Sequence, residues 1–408
     1  MKVLHINCVY PGGSTGKIIR DLGASLVRDG HESIVAYGRG QKPCEMGVYK
    51  TCTEAEAHLT HLAARLCGIR YGGAPFATRK LFALIKKEKP DVVHLHSING
   101  YFVNIYRLLD HLKRKGIPTV LTLHAEFMFT ANCSHAYDCM GFTGGCGNCP
   151  RRYEATESYL FDRTASSFSR MKRATHGFSK LTAVAVSPWG RDRAALSPIF
   201  DGTRLVTVKN GLDTLCFTPD PDAEAIRAHY APNGEKLLLH VTAEFSDAEG
   251  HSKGGAYILS LAKALARENV RILVAGDYDE RIVPPSNLLF LGRVTDQKKL
   301  AGLYSAADLS ILSGRRETYS MPVAESLSCG TPVVGFLAGG PESIALPAYS
   351  RFVPYGDTDA LCLACREMLA HDFDRKAIAN EARIAYDKEE MYRAYLAIYQ
   401  EATKGVTT

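Results

Sequence analysis

No stretch of this 408-residue chain approaches 18 consecutive apolar residues, so no transmembrane helix is expected. The opening run, MKVLHINCVYPGG, is too short for the core of an export signal and meets Pro-Gly where a cleavage site would need small residues. It reads as a first β-strand, which leaves the expectation of a cytoplasmic protein whose twelve cysteines stay reduced. Two phosphate-binding signatures are also missing. A Walker A loop needs four residues between its glycines and Ser or Thr after its Lys, but in PGGSTGK Gly12 and Gly16 bracket three and Ile18 follows Lys17. The G-x-G-x-x-G dinucleotide pattern is absent from that turn. Between Ile226 and Arg267 the only arginine is Arg227, which limits the cations available to an anionic ligand there. The basic residues are not interleaved with aromatics as in single-strand binders, so no nucleic-acid partner is expected.

What is present fits an ordinary globular protein, 46% hydrophobic and 23% charged, long enough for two domains. The net charge of +6 hides an asymmetry: residues 1–200 carry +12 and the remainder −6. A basic half points to an anionic surface such as a membrane, with scattered solvated lysines as the alternative. Candidate clusters are Arg79-Lys80, Lys86-Lys87-Lys89, Lys113-Arg114-Lys115, and Arg170 with Lys172-Arg173.

Along the chain, strand Lys2–Tyr10, the glycine-rich turn, helix Ile18–Arg28 and strand Ser33–Tyr37 make the opening unit of a doubly wound parallel sheet. Residues 41–79 read as loop and helix, followed by helix Arg79–Lys89. In the strand PDVVHLHS, His94 and His96 share a face: His94 reads as a core histidine, while His96, near the carboxyl end, is open between core and ligand. Strand Thr119–Leu123 ends in His124, with Glu126 close behind. Cys133, Cys139, Cys146 and Cys149 follow as C-x5-C-x6-C-x2-C, open to three readings: a tetrahedral metal, most simply zinc, free thiols, or a disulfide. A basic helix is expected over Ser158–Lys180 and a hinge near residues 214–222. The second half repeats the architecture, with Lys253 in the loop after its first strand and Asp277-Tyr278-Asp279 after a later one. Two helices are expected beyond Asp357, the last, Glu389–Ala402, carrying Tyr392, Tyr395 and Tyr399 at helical spacing.

The chemistry concentrates in Gly314–Gly340, GRRETYSMPVAESLSCGTPVVGFLAGG. Pro322 suits a first helical turn and Gly330 its end, so a loop feeds a helix N-terminus whose free N–H groups can meet a diphosphate. Glu317 lies before that helix, and Glu325 is expected in its first turn, where a capping role competes with a ligand role.

The run of Glu317, seven residues, Glu325, SLSCGTPVV and GGPES resembles the signature of the retaining family 4 glycosyltransferases. That resemblance implies an α/β GT-B fold, two Rossmann-like domains facing across a cleft. The acceptor domain would span residues 1–215 and the nucleotide-sugar domain 216–385, with a helix at 386–408 packing back on the first. Carried over residue by residue, Glu317 contacts the transferred sugar and Glu325 the ribose. The backbone of Tyr319, Ser320 and Met321 meets the diphosphate, as do Gly13 and Gly16. His124 reaches the donor sugar or acceptor, Lys253 neutralises the leaving diphosphate, and Gly292-Arg293 borders the base. The family usually has Gly at the positions of Thr318 and Ser320, and an Asp after the histidine, which Glu126 could replace from a shifted position. A similar cysteine-rich insertion occurs in the exopolysaccharide and colanic-acid branch. The implied reaction is transfer with retention from a UDP- or GDP-sugar to a glycan or polyprenyl-linked acceptor, the leaving phosphate taking the acceptor's proton. No divalent metal is obligatory in it. An epimerase or a phosphorylase on the same fold is the alternative.

Overall fold

A computed structural model describes residues 1–41 and 45–404; residues 42–44, inside the segment read as loop and helix, and the last four lie outside the description. The chain forms two compact units, Met1–Lys209 with Met391–Thr408, and Asn210–Glu390. They part at Lys209/Asn210, earlier than the expected hinge, because Leu212 pairs with Asp387 and exchanges backbone hydrogen bonds with Tyr386 and Lys388.

The first unit is built on seven strands: β1 (Lys2–Val9), β2 (Glu32–Arg39), β3 (Val48–Lys50), β4 (Val92–Leu95), β5 (Thr119–Leu123), β6 (Leu181–Ala185) and β7 (Arg204–Thr207). All pair in parallel in the order β3-β2-β1-β4-β5-β6-β7. Helices cover both faces, so the central strands are apolar on both sides and read as Val/Ile/Leu runs. Successive residues serve opposite cores. Leu4, Ile6 and Leu95 pack with the helices Pro75–Glu88 and Ile105–Lys115, while Val3, Val92 and Val120 pack against Ile18, Leu22, Tyr395 and Tyr399.

The second unit repeats the plan with β8 (Lys236–Phe245), β9 (Val270–Tyr278), β10 (Leu288–Gly292), β11 (Leu309–Leu312), β12 (Val333–Phe336) and β13 (Ser350–Val353), in the order β10-β9-β8-β11-β12-β13. Each sheet reverses its order once, between β1 and β4 and between β8 and β11. Outside the carboxyl ends of such a pair, diverging loops leave a crevice, the usual ligand site of an open α/β sheet.

The two doubly wound sheets are those expected, with local differences. The short edge strand β3 and the helix Glu54–Cys67 organise the segment of weak periodicity. The expected helix Ser158–Lys180 is confined to Thr164–Thr175. Three helices follow Asp357, because Asp374 caps a separate helix at Arg375–Tyr386 before the last one at Lys388–Thr403.

Candidate active site

In the second unit the crevice is formed by the loops after β8 and β11, and these carry Lys253 and Glu317. Lys253 Nζ lies 2.6 Å from Glu317 Oε1, both side chains about one-third exposed. The backbone fixes the approach. Arg315 N–H donates to Ser252 O at 2.9 Å, and Ser313 Oγ donates to Lys253 O at 2.8 Å. Gly254 has φ +68°, and a Cβ there would stand 2.1 Å from Ser313 O, so only glycine lets the two loops close. On its other side the Glu317 backbone is stapled to the next loop: Glu317 N–H donates to Ala338 O at 3.1 Å and Gly340 N–H to Glu317 O at 2.8 Å. Arg315 and Arg316 directly precede Glu317, so two guanidinium groups share its loop although no arginine stands beside Lys253 in sequence.

The helix runs Met321–Ser328 behind Ser320, and Gly330 (φ +79°) ends it as expected. Ser320 is buried at φ +103°, a conformation that costs an L-residue strain, at a position where glycine was the expected family residue. Because the helix begins at Met321, Glu325 falls in the second turn, not the first, and no acidic residue occupies the first turn. The capping role is thereby removed. Tyr304, from the helix Gln297–Ala306, donates to Glu325 Oε2 at 3.1 Å. Tyr319 is anchored by its buried hydroxyl, which donates to Asn210 O at 2.8 Å, so what it can offer a ligand is backbone.

At the ends of β8 and β9 a cavity of about 510 Å³ is lined by Phe245, Asp277, Tyr278, Asp279 and Arg293 among others, but by neither Glu317 nor Lys253. Gly292 (φ +70°) has open space where a Cβ would be, and Arg293 pairs with Asp277. Arg281 takes Asp279, so the D-x-D carboxylates are each already matched to an arginine.

In the first unit Gly13 and Gly16 belong to the helix Gly13–Arg28, which begins earlier than expected and absorbs most of the turn. Gly13 keeps φ +72°. A Cβ on Gly16 would stand 2.8 Å from the Pro11 carbonyl, so close packing on the preceding turn already explains that glycine. His124 follows β5 and accepts or donates one bond with His96, Nε2 to Nδ1 at 3.2 Å. Burial pushes it down to about 4. His94 is the core histidine expected, held between Tyr399 Oη (2.6 Å) and Thr122 Oγ1 (2.7 Å). His96 is also fully buried. Glu126 is buried against Arg193, Nε to Oε2 at 2.9 Å, which makes it a structural ion-pair partner and not a replacement for the family's Asp.

The four clustered cysteines carry no disulfide. Among the described residues, the group of metal-ligating side chains with donor atoms within 4.8 Å of one another is His5, His94 and His96, and the cysteines form no such group. Burial pushes Cys133 up to about 11 and Cys146 to about 12, the neighbouring thiols adding to it, so these are protonated thiols at neutral pH. A zinc site would require the sulfurs to converge, the metal itself displacing their protons. Both nitrogens of His94 are hydrogen-bonded to hydroxyls, so the histidine group reads as a hydrogen-bonded core.

Residues 12–214 match the family described as Glycosyltransferase Family 4, and residues 241–371 match Glycosyl transferases group 1. The chain belongs to glycosyltransferase family 4. It is similar to the putative colanic acid biosynthesis glycosyl transferase WcaC of Escherichia coli, 21% identical, covering 98% of this chain and all of that one. A GDP-mannose-dependent alpha-mannosyltransferase of Mycolicibacterium smegmatis is 23% identical over 82% of this chain and 78% of its own. Among solved structures, Anabaena Alr3699/HepE in complex with UDP superposes with a TM-score of 0.63 at 15% identity, covering 98% of this chain and 100% of that one. The two parallel sheets are the GT-B fold. As a family 4 member the enzyme is a retaining glycosyltransferase that uses nucleotide-sugar donors.

Proposed function

We propose that this enzyme moves a sugar from a UDP- or GDP-sugar to a glycan or polyprenyl-linked acceptor in the building of a surface polysaccharide, working from the cytoplasmic face of the membrane. The observation that carries the donor half is the Lys253–Glu317 pair beside the N-terminus of the helix Met321–Ser328. In this reading Lys253 and the helix N–H groups stabilise the departing diphosphate, and Glu317 is left to face the sugar. Glu325 holds the ribose and Arg293 borders the base. A thermal-shift screen against nucleoside diphosphates and their sugars tests it, since the cognate ligand stabilises by mass action. Conversion of the donor without any acceptor would favour an epimerase or phosphorylase.

The acceptor half is supported by a surface of the first unit. On the helix Glu54–Cys67, Leu59, Leu62 and Leu66 are 68, 56 and 45% exposed along one face. The segment beside it exposes Tyr159, Leu160 and Phe161: Tyr159 N–H donates to Arg65 O at 2.8 Å, and the Arg65 guanidinium lies 4.4 Å from the Tyr159 ring centre. Arg163 lies over Phe161. Apolar side chains rimmed by arginines suit the interface of an anionic bilayer. Of the basic clusters singled out in the sequence, Lys86-Lys87, Lys113-Arg114-Lys115 and Lys172-Arg173 have a different setting, the last turns of the helices Pro75–Glu88, Ile105–Lys115 and Thr164–Thr175, where cations complement helix dipoles, while Arg79-Lys80 lies earlier in the first of these helices. Sedimentation with phosphatidylglycerol vesicles, compared with phosphatidylcholine, tests the docking. Salt-sensitive binding to the anionic vesicles, lost in Leu62→Asp/Leu160→Asp, is expected. Equal binding to both lipids, or to neither, would favour a soluble acceptor.

A further inference from the structure

The cavity at the ends of β8 and β9 is acidic. Glu244, Asp247, Asp277 and Asp279 line it together with the guanidinium of Arg293, and Lys253 is not among its walls. A diphosphate placed there would meet like charge, so the cavity suits the uncharged end of a nucleotide while the phosphates stay with Lys253 and the helix N-terminus. Tyr278, stacked on Phe290 with ring centres 4.3 Å apart, gives the same cavity an aromatic wall for a planar base.

Three of the charged groups stand in sheet order. β10, β9 and β8 are neighbours; Arg293 directly follows β10, Asp277 belongs to β9, and Glu244 in β8 is the register partner of Asp277. Arg293 donates to Asp277 Oδ2, which holds the first two side by side. Among the described residues, Asp277 Oδ1 and both carboxylate oxygens of the exposed Glu244 have no hydrogen bond. Across the sheet the groups therefore offer a donor, an acceptor and an acceptor, since a guanidinium can only donate and a carboxylate can only accept. Guanine has the complementary edge, with O6 as acceptor and N1–H and N2–H as donors. Uracil presents an acceptor, a donor and an acceptor, so one carbonyl oxygen would face the Glu244 carboxylate with no proton between them. Adenine and cytosine, in either orientation, set at least one group against its like.

We propose that Asp277 and Glu244 select guanine, Asp277 accepting from N1–H and Glu244 from the 2-amino group while Arg293 donates to O6, so that the enzyme takes its sugar from a GDP-sugar. The proposal rests on the reading of the second unit as the donor site and adds the choice of base. A site built to accept a particular N–H rejects the analogue that lacks it, because its acceptor is then left unpaired.

Calorimetric titration of the full-length protein with GDP, IDP, UDP and ADP tests it. Inosine keeps the O6 and N1–H of guanine and lacks only the 2-amino group, so IDP reports the Glu244 contact by itself. GDP is expected to bind about tenfold more tightly than IDP, the scale of one hydrogen bond to a charged group, and about a hundredfold more tightly than UDP or ADP. Glu244→Ala should bring GDP down to the affinity of IDP and leave IDP within about twofold. Asp277→Asn should weaken GDP and IDP together and leave ADP, which has no ring N–H, within about twofold; an equal loss on all four would mark a structural role and overturn the part given to Asp277. UDP bound as tightly as GDP overturns the choice of guanine, and IDP bound as tightly as GDP overturns the part given to Glu244. Both comparisons use the unmodified protein and stand even if a variant fails to fold. Binding of none of the four overturns instead the donor-site reading beneath the proposal.

Discussion

Tyr304 donates its hydroxyl to Glu325 Oε2 at 3.1 Å, a bond between two helices that orients a carboxylate the sequence had placed one turn too early. A charge-assisted bond to a part-buried carboxylate fixes which face Glu325 turns to a ligand. Tyr304→Phe should therefore weaken nucleoside diphosphate binding by about 1 kcal/mol, and Glu325→Ala by roughly 1–3 kcal/mol. Calorimetric titration with the diphosphates checks both, and equal affinity in Glu325→Ala and the unmodified enzyme would remove Glu325 from the donor site.

Glu317→Gln should lower transfer by at least about a hundredfold, the scale of losing one electrostatic group at the reacting centre, while diphosphate affinity stays within about threefold. Lys253→Met should lower both, since the lysine is assigned to the diphosphate itself. Ordinary turnover in Glu317→Gln would refute the site assignment.

Backbone strain at Ser320 gives a stability prediction of known sign. At φ +103° serine pays a conformational cost that glycine does not, so Ser320→Gly should stabilise the protein by about 1 kcal/mol in urea unfolding. The opposite is expected at Gly254: alanine meets both φ +68° and the Ser313 carbonyl, so Gly254→Ala should destabilise the fold and displace Lys253, lowering transfer as well. A neutral Gly254→Ala would mean the loops close by another route.

Buried histidines set an acid limit. Burial lowers His5 to about 3 and His124 and His240 to about 4, and pushes His94 and His96 down as well, whereas an unfolded chain protonates near about 6.5. Below that value the unfolded state binds more protons than the native one, so stability falls as pH drops from about 6.5 toward 4 and is level above about 7.5 as far as these groups are concerned. Glu54, held near 2 chiefly by its bond from the Gly40 amide, contributes a loss only further down. Urea midpoints at pH 8, 6 and 5 check this. A midpoint that does not move would mean the imidazoles take up protons in the fold as readily as in the unfolded chain.

Much of this was legible in the chain because it is local. Continuous Val, Ile and Leu runs define the parallel strands, Pro322 and Gly330 bracket their helix, and the interval from Glu317 to Glu325 with its following motif identifies the family. What local pattern could not carry was anything set by the order of strands. Lys253 and Glu317 are 64 positions apart and meet only because β8 and β11 are neighbours where the sheet reverses. His5, His96 and His124 form a row only because β1, β4 and β5 lie side by side, and Tyr304 reaches Glu325 only through the packing of two helices. Glu325 falls in the second turn because the helix already begins at Met321, directly after Ser320 with its positive φ. Sequence spacing fixes which face of an element a residue is on; which other element that face meets is decided by burial of the apolar surface of the whole sheet.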